Sequence, residues 1–188
     1  MFYGLEVRGY IRVPPNLLES DIKDAILERL NVRYDGYVSP NLGVVVHVSD
    51  ILEIGEGIII PGDGAAYYDT RFKIIAFKPE LQEVILGKVT EITDFGAFME
   101  IGPLDGMIHI SQTMADFVSF SKAGTLTGKE TKKTLKAGDR CRARIIAVSY
   151  KDSSTPKIGL TMRQVRLGTL NWIEDELKKE AKVEKKEK

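Results

Sequence analysis

Two groups of side chains in this 188-residue sequence have the types and spacing to do chemistry. The first is Phe95, Phe98 and His109, set in Asp94-Phe95-Gly96-Ala97-Phe98 and Gly106-Met107-Ile108-His109-Ile110-Ser111. Phe95 falls at a strand–turn junction beside a glycine that lets the chain bend closely, and His109 ends a strand. Flat rings on a sheet surface are platforms for unpaired nucleic-acid bases, each worth ~1–3 kcal/mol. The same rings could instead fill a barrel core, and Phe98 fits either position. The second group is Arg140, Arg142 and Arg144, alternating with Cys141, Ala143 and Ile145. Period two puts the arginines on one strand face and the small apolar residues on the other. Such a row is either a solvated face or a track for a phosphate chain, which Lys122, Lys129, Lys132 and Lys133 could extend.

Other chemistries lack their residues. His47 and His109 are the only histidines, and neither stands near a cysteine or paired carboxylates at ligand spacing, so no metal site is expected. Pro61-Gly62-Asp63-Gly64-Ala65 lacks the Lys-Ser/Thr of a phosphate-binding P-loop. Ser111 has no acid partner to complete a triad with His109, and Asp63 and Asp69 do not make a catalytic pair. The expectation is a protein without catalytic residues or cofactor. A single cysteine, Cys141, excludes an internal disulfide and suits a reducing, cytoplasmic setting. No apolar run approaches the ~20 residues that span a bilayer, and the N-terminus does not read as a secretory signal, so no membrane partner is expected.

Charge is balanced overall, 27 basic against 27 acidic residues, but unevenly spread. Residues 1–119 carry a net charge of −9 and residues 120–166 a net charge of +9. That asymmetry favours a polyanion partner for the second half. The run from Lys178 mixes both signs and reads as a solvated helix end fraying into a tail.

These residues must be positioned by two domains. Phe2 to Val13 reads as a strand closed by Pro14-Pro15. Leu18, Ile22, Ala25, Ile26 and Leu30 then fall at helical spacing, with Asn16 or Ser20 as the cap and an end before Asp35-Gly36. Leu42 to Val48 reads as a buried strand, followed by a glycine-punctuated loop whose tip is Pro61-Gly62-Asp63-Gly64, and Ala65 to Phe77 as another strand. Lys78-Pro79-Glu80 marks a boundary, giving an α+β domain at 1–80 and a second domain at 81–188. In the second, five strands are expected at 83–92, 96–101, 106–110, 139–148 and 157–161, a small β-barrel. The polar stretch from Ser111 to Ala137 is too long for a plain hairpin loop. A short C-terminal helix should pack Leu170, Trp172 and Ile173 back onto the protein.

Two resemblances rest on these motifs. Gly87-Lys88-Val89, Phe95-Gly96-Ala97-Phe98, Gly106-Met107-Ile108-His109-Ile110-Ser111, Lys136-Ala137-Gly138-Asp139 and Ile158-Gly159-Leu160-Thr161 resemble the RNA-binding OB-fold of the ribosomal protein S-one type, over residues 83–165. Together with Glu53-Ile54-Gly55-Glu56-Gly57, Ile60-Pro61-Gly62-Asp63-Gly64-Ala65, Tyr67-Tyr68-Asp69 and Gly168-Thr169-Leu170-Asn171-Trp172-Ile173-Glu174, the chain resembles the E-prime stalk-subunit family of archaeal RNA polymerase, counterpart of the seventh subunit of eukaryotic RNA polymerase II. The resemblance implies an RNP-like N-terminal domain whose tip, Gly62, Asp63 and Gly64, docks on the polymerase core, with Asp63 as a polar anchor. It also implies a heterodimer with a small helical F subunit and a barrel that binds nascent single-stranded RNA. A free translation or RNA-decay factor carrying the same barrel is the alternative.

Overall fold

Leu5, Val7, Ile11 and Val13 alternate with Glu6, Arg8, Tyr10 and Arg12, so β1 (Phe2–Val13) has one apolar and one polar face. The computed structural model describes residues 1–121, 124–150 and 156–184, and the chain divides into two units, Met1–Lys78 and Pro79–Lys188. In the first unit β1 is followed by α1 (Ile22–Tyr34), β2 (Val38–Ser39), β3 (Gly43–Ile59) and β4 (Ala66–Phe77). They form an antiparallel sheet in the order β1-β4-β3-β2. The helix lays Ala25, Ile26 and Leu30 onto Ile11, Val13, Val45, Val48, Ile51, Phe72 and Ile74. Each large aliphatic side chain so buried contributes roughly 1.5–3 kcal/mol.

Two local expectations for this unit are corrected. The helix does not begin at Asn16 or Ser20. After the two prolines Pro15–Leu17 forms a 3-10 turn, and the Ser20 hydroxyl donates to the Leu17 carbonyl instead of capping. Asp21 is the cap, its carboxylate accepting the Lys23 N–H at 2.8 Å, so Leu18 lies outside the helix. Nor does β3 stop before the glycines; it runs on through Gly55 and Gly57 to Ile59. Val45, Val48, Ile51, Ile54 and Gly57, three residues apart, pair with Ala76, Ile74, Phe72, Thr70 and Tyr68, two apart. Each step adds one residue to β3, a β-bulge, and the four bulges keep the helix-facing positions in line while coiling the strand.

In the second unit β5 (Val84–Ile92), β6 (Gly96–Glu100) and β7 (Asp105–His109) are followed by the short helix α2 (Ile110–Thr113). The stretch anticipated only as a long connection is structured. It folds into α2 and a separate antiparallel sheet of β8 (Val118–Ser121), β9 (Thr125–Gly128) and β10 (Thr134–Lys136). Then come β11 (Arg140–Ser149), β12 (Lys157–Thr161), β13 (Gly168–Thr169) and α3 (Leu170–Glu184). The pairing β12-β7-β6-β5-β11 returns from β11 to β12, closing a five-stranded barrel in which β7 and β12 run parallel. Val89, Ala97, Met99, Ile108, Cys141, Ala143, Ile145 and Leu160 fill it. Burial pushes the Cys141 thiol up to about 12, so it is a small apolar filler rather than a nucleophile. The chain is α+β, with an OB-fold barrel in its second half, as the sequence predicts.

Candidate nucleic-acid interface

Ala97 and Met99 point into the barrel, so their neighbour Phe98 must point out, where it is half-buried. Gly96 cannot carry a side chain, because a Cβ there would run into the Ile108 carbonyl. The close approach of β6 and β7 at that point turns Phe95 onto the outer surface, 47% exposed. Its ring meets that of Phe98 edge to face, centroids 6.0 Å apart and planes at 85°. On β7, Met107 lies opposite Phe98 and His109 opposite Gly96. Phe95, Phe98 and His109 therefore share one outer surface.

Ser111, two residues on, fixes the His109 ring. Nδ1 of His109 lies 2.8 Å from the Ser111 hydroxyl and accepts the Ser111 N–H, capping α2. That pairing leaves the ring proton on Nε2. The helix is itself pinned to β12. The Thr161 hydroxyl donates to Gln112 Oε1 at 2.8 Å, and the Met162 N–H donates to the Gln112 carbonyl.

Next to the rings, across the parallel β7–β12 seam, lies an apolar cleft of about 530 Å³ lined by Phe98, Met107, His109, Ala147, Lys157 and Gly159. Met107 and Lys157 were not singled out from the sequence. Alternation signals both: Ile108 and Ile158 are buried, so their neighbours face outward.

The arginine row is on the outer face, alternating with buried Cys141, Ala143 and Ile145. It is not brought to the rings. Arg140, Arg142 and Arg144 pair with Lys88, Leu86 and Val84 in the first half of β5, whereas Phe98 pairs with Glu91 in the second half. Arg142 also lies opposite Gly168 of β13. Arg144 is half-buried, and its Nε has no hydrogen-bond partner among the described residues. Of the lysines, Lys133 is engaged: its Nζ sits 2.7 Å from Glu176 and 5.4 Å from the centre of the Trp172 ring, tying the β9–β10 hairpin to α3. Lys129 and Lys132 are exposed, and Lys122 lies outside the described residues.

The tip of the first unit is a second candidate surface. Gly62 and Gly64 have φ of +95° and +68°, the region that favours glycine, and nothing lies within 4 Å of where a Cβ would stand. Their role is conformational rather than steric. Asp63 is exposed and is already paired within its own unit. Its carboxylate accepts Arg12 Nε at 2.9 Å, Arg12 Nη2 at 2.5 Å and the Tyr67 hydroxyl at 2.5 Å. Those donors hold it well below the usual carboxylate range. What the tip presents outward is Ile58, Ile59 and Ile60, all exposed.

A bulged α+β sheet unit followed by an OB barrel with an outward aromatic cluster defines a class, that of proteins in which a separate α+β domain precedes an OB-fold barrel. Residues 8–64 match the SHS2 domain found in the N terminus of Rpb7p/Rpc25p/MJ0397, and residues 78–155 match the S1 RNA binding domain. The chain is 36% identical over 183 residues to DNA-directed RNA polymerase subunit Rpo7 of Sulfolobus acidocaldarius, covering 97% of this chain and 100% of that protein. It is 36% identical over 175 residues to Rpo7 of Saccharolobus solfataricus, covering 92% and 97%. With DNA-directed RNA polymerase III subunit RPC8 of Saccharomyces cerevisiae it shares 31% identity over 114 residues, 61% of this chain and 54% of that protein. The chain belongs to the Rpo7 family of DNA-directed RNA polymerase subunits.

Proposed function

We propose that the chain is a non-catalytic stalk subunit of DNA-dependent RNA polymerase, docked on the core enzyme through its N-terminal tip, paired with the F subunit, and binding nascent single-stranded RNA on its barrel. The observation that carries this reading is the near full-length match to Rpo7 subunits, joined to an S1 RNA binding domain with exposed rings. A free translation or decay factor would share the barrel but has no need of the SHS2 unit.

On the barrel, Phe95 and His109 present ring faces and Phe98 braces Phe95. Bases stacked there are held without sequence readout, since every base has a π-face. Lys157 supplies positive charge beside the apolar cleft. The row Arg140, Arg142 and Arg144 meets phosphates on a neighbouring sector, so a strand that reaches both must wrap around β5 or β12. At the tip, three exposed isoleucines on a narrow turn suit insertion into an apolar crevice of the core.

Titration of single-stranded RNA at several salt concentrations tests the barrel assignment. Phe95→Ala should cost ~1–3 kcal/mol of affinity with little change in salt slope. Arg142→Ala should lower affinity and flatten that slope, because fewer counterions are released. If both variants melt like the parent and bind RNA like the parent, the RNA face is wrong.

A further inference from the structure

The sheet β8-β9-β10 has one face of Val118, Phe120, Leu126 and Leu135, on which Leu126 and Leu135 are wholly buried and Phe120 is 41% exposed. Its other face is polar. Ser119, Thr127 and Thr134 form one cross-strand row, and Thr125 and Lys136 stand in the next. At the end of the sheet the Lys129 N–H donates to the Phe117 carbonyl, which sets these two residues side by side. Phe117 is 76% exposed, an aromatic ring with no core to fill. No acidic residue occurs in β8, β9 or β10. The nearby acids are Asp116, Glu130 and Asp139, and Asp139 is turned to the backbone of β10, where its carboxylate accepts the Lys136 N–H at 2.9 Å. Asp116 is turned into the β9–β10 connection, where it accepts the backbone N–H groups of Glu130 and Thr131 and the Thr131 hydroxyl. Glu130 comes after Lys129 on the exposed connection.

Resting on the RNA-binding reading of the barrel, we infer that this polar face is a second contact surface for the same single-stranded RNA. Phe117 stacks a base, Lys129 and Lys136 take phosphates, and the Thr127 and Thr134 hydroxyls donate to phosphate oxygens, the Ser119 hydroxyl being given to the Thr127 carbonyl. Charge decides for a polyanion: the sheet positions hold lysines and hydroxyls without a carboxylate, and hydroxyls and lysines are the side chains that hold nucleic-acid backbones in place. Continuity decides for the same strand. A groove of about 420 Å³ leads from the end of β7, which carries His109, to the start of β8; Ile110, Met114 and Phe117 line it together with Asp116, Glu130 and Arg163, and Asp116 is already engaged by the backbone of the β9–β10 connection. A strand leaving the barrel rings thus has a lined path to Phe117, and the binding site is bipartite.

Length dependence tests this. Oligouridylates of about 6 and about 20 nucleotides, bracketing the span of one OB barrel, are titrated against the full chain. Phe117→Ala should weaken the longer oligomer about fivefold or more and leave the shorter one unchanged. The pair Lys129→Gln with Lys136→Gln should lower the salt slope for the longer oligomer by about 0.7 per lysine. All three side chains are exposed, so the variants should melt like the parent. Parent-like binding of the longer oligomer by both variants, while Phe95→Ala still weakens it, overturns the second surface and leaves the barrel reading intact. Equal weakening of both lengths also overturns it, since the loss would not lie beyond the barrel. If Phe95→Ala is silent too, the RNA reading fails as a whole. Parent-like RNA affinity combined with lost co-purification with core polymerase would assign the face to a protein and overturn the inference.

Discussion

Asp63 illustrates what single residues hide. Arg12 and Asp63 are 51 positions apart, and nothing in their spacing announces the bidentate pair that ties the base of the tip to β1. The alternation of arginines with Cys141, Ala143 and Ile145, by contrast, was legible at once, because strand period is local. The sequence left Phe95 and Phe98 between surface and barrel core; that Phe98 faces outward emerged only once Ala97 and Met99 were seen to be buried. The pairing of Asp63 has a pH consequence. A carboxylate whose folded-state pKa is depressed adds stability that is fully present above its ordinary pKa of ~3.9, and that stability is lost as pH falls through the lower folded value. Asp63 is held down by Arg12 and Tyr67, and Asp69 by Arg8 in the same sheet. Asp63→Asn should therefore lower the melting temperature of the first unit near neutrality, and the gap to the parent should close towards about pH 2. Thermal melts at both pH values check this; a gap of equal size at each would mean that charge is not what the pair contributes.

At the scale of elements, what the sequence conceals is β3. A reader looking for period two finds it broken after Val48, because the helix-facing positions Val45, Val48, Ile51 and Ile54 recur in threes. Only a partner strand in period two makes sense of that spacing, and the partner positions, from Thr70 for Ile54 to Ala76 for Val45, lie well beyond any local window. The sheet of β8, β9 and β10 was invisible for a similar reason. Its strands are three or four residues long, and its core is Leu126 and Leu135 from two of them. The barrel strands were readable because each carries its own alternation and turn signals. The run of β3 to Ile59 also explains the tip, since a coiled two-stranded ribbon carries Ile58, Ile59 and Ile60 out on a turn that two glycines allow. Substituting the glycines would confuse strain with lost docking, because valine at positive φ costs on the order of 1–2 kcal/mol locally. Ile59→Asp with Ile60→Asp is the cleaner pair: both side chains are already exposed, so melting and RNA affinity should be unchanged. Co-purification with the polymerase core should fall sharply, and retention at the parental level would remove the tip from the docking surface.

For the whole molecule, the sign of the charge was readable in advance, and its consequence for partners can now be sharpened. The first unit does not leave a greasy sheet face for another subunit. Its open face is a ladder of ion pairs, Arg8 with Asp69 at 2.6 Å and Arg71 with both Glu6 and Glu53, in which each arginine is answered by an acid. These exposed pairs add little stability, but they make the face self-sufficient and a poor site for an apolar partner. What remains open is the edge. β1 is 12 residues long and ends the sheet, with no strand beside it among the described residues, and along this outermost strand Phe2 and Tyr10 are exposed. Long edges of this kind invite another chain to pair or cover them. Pairing with the F subunit should therefore be met along β1 rather than on the ladder face. Mixing the chain with an F-type subunit should give a one-to-one heterodimer by light scattering, with backbone amides of β1 gaining protection from hydrogen exchange. Tyr10→Asp on the edge strand should weaken the complex, whereas Arg71→Ala on β4, inside the sheet, should leave it intact. A chain that stays monomeric in the mixture would withdraw the F subunit as partner, and a heterodimer that protects the ladder strands but not β1 would move its interface elsewhere.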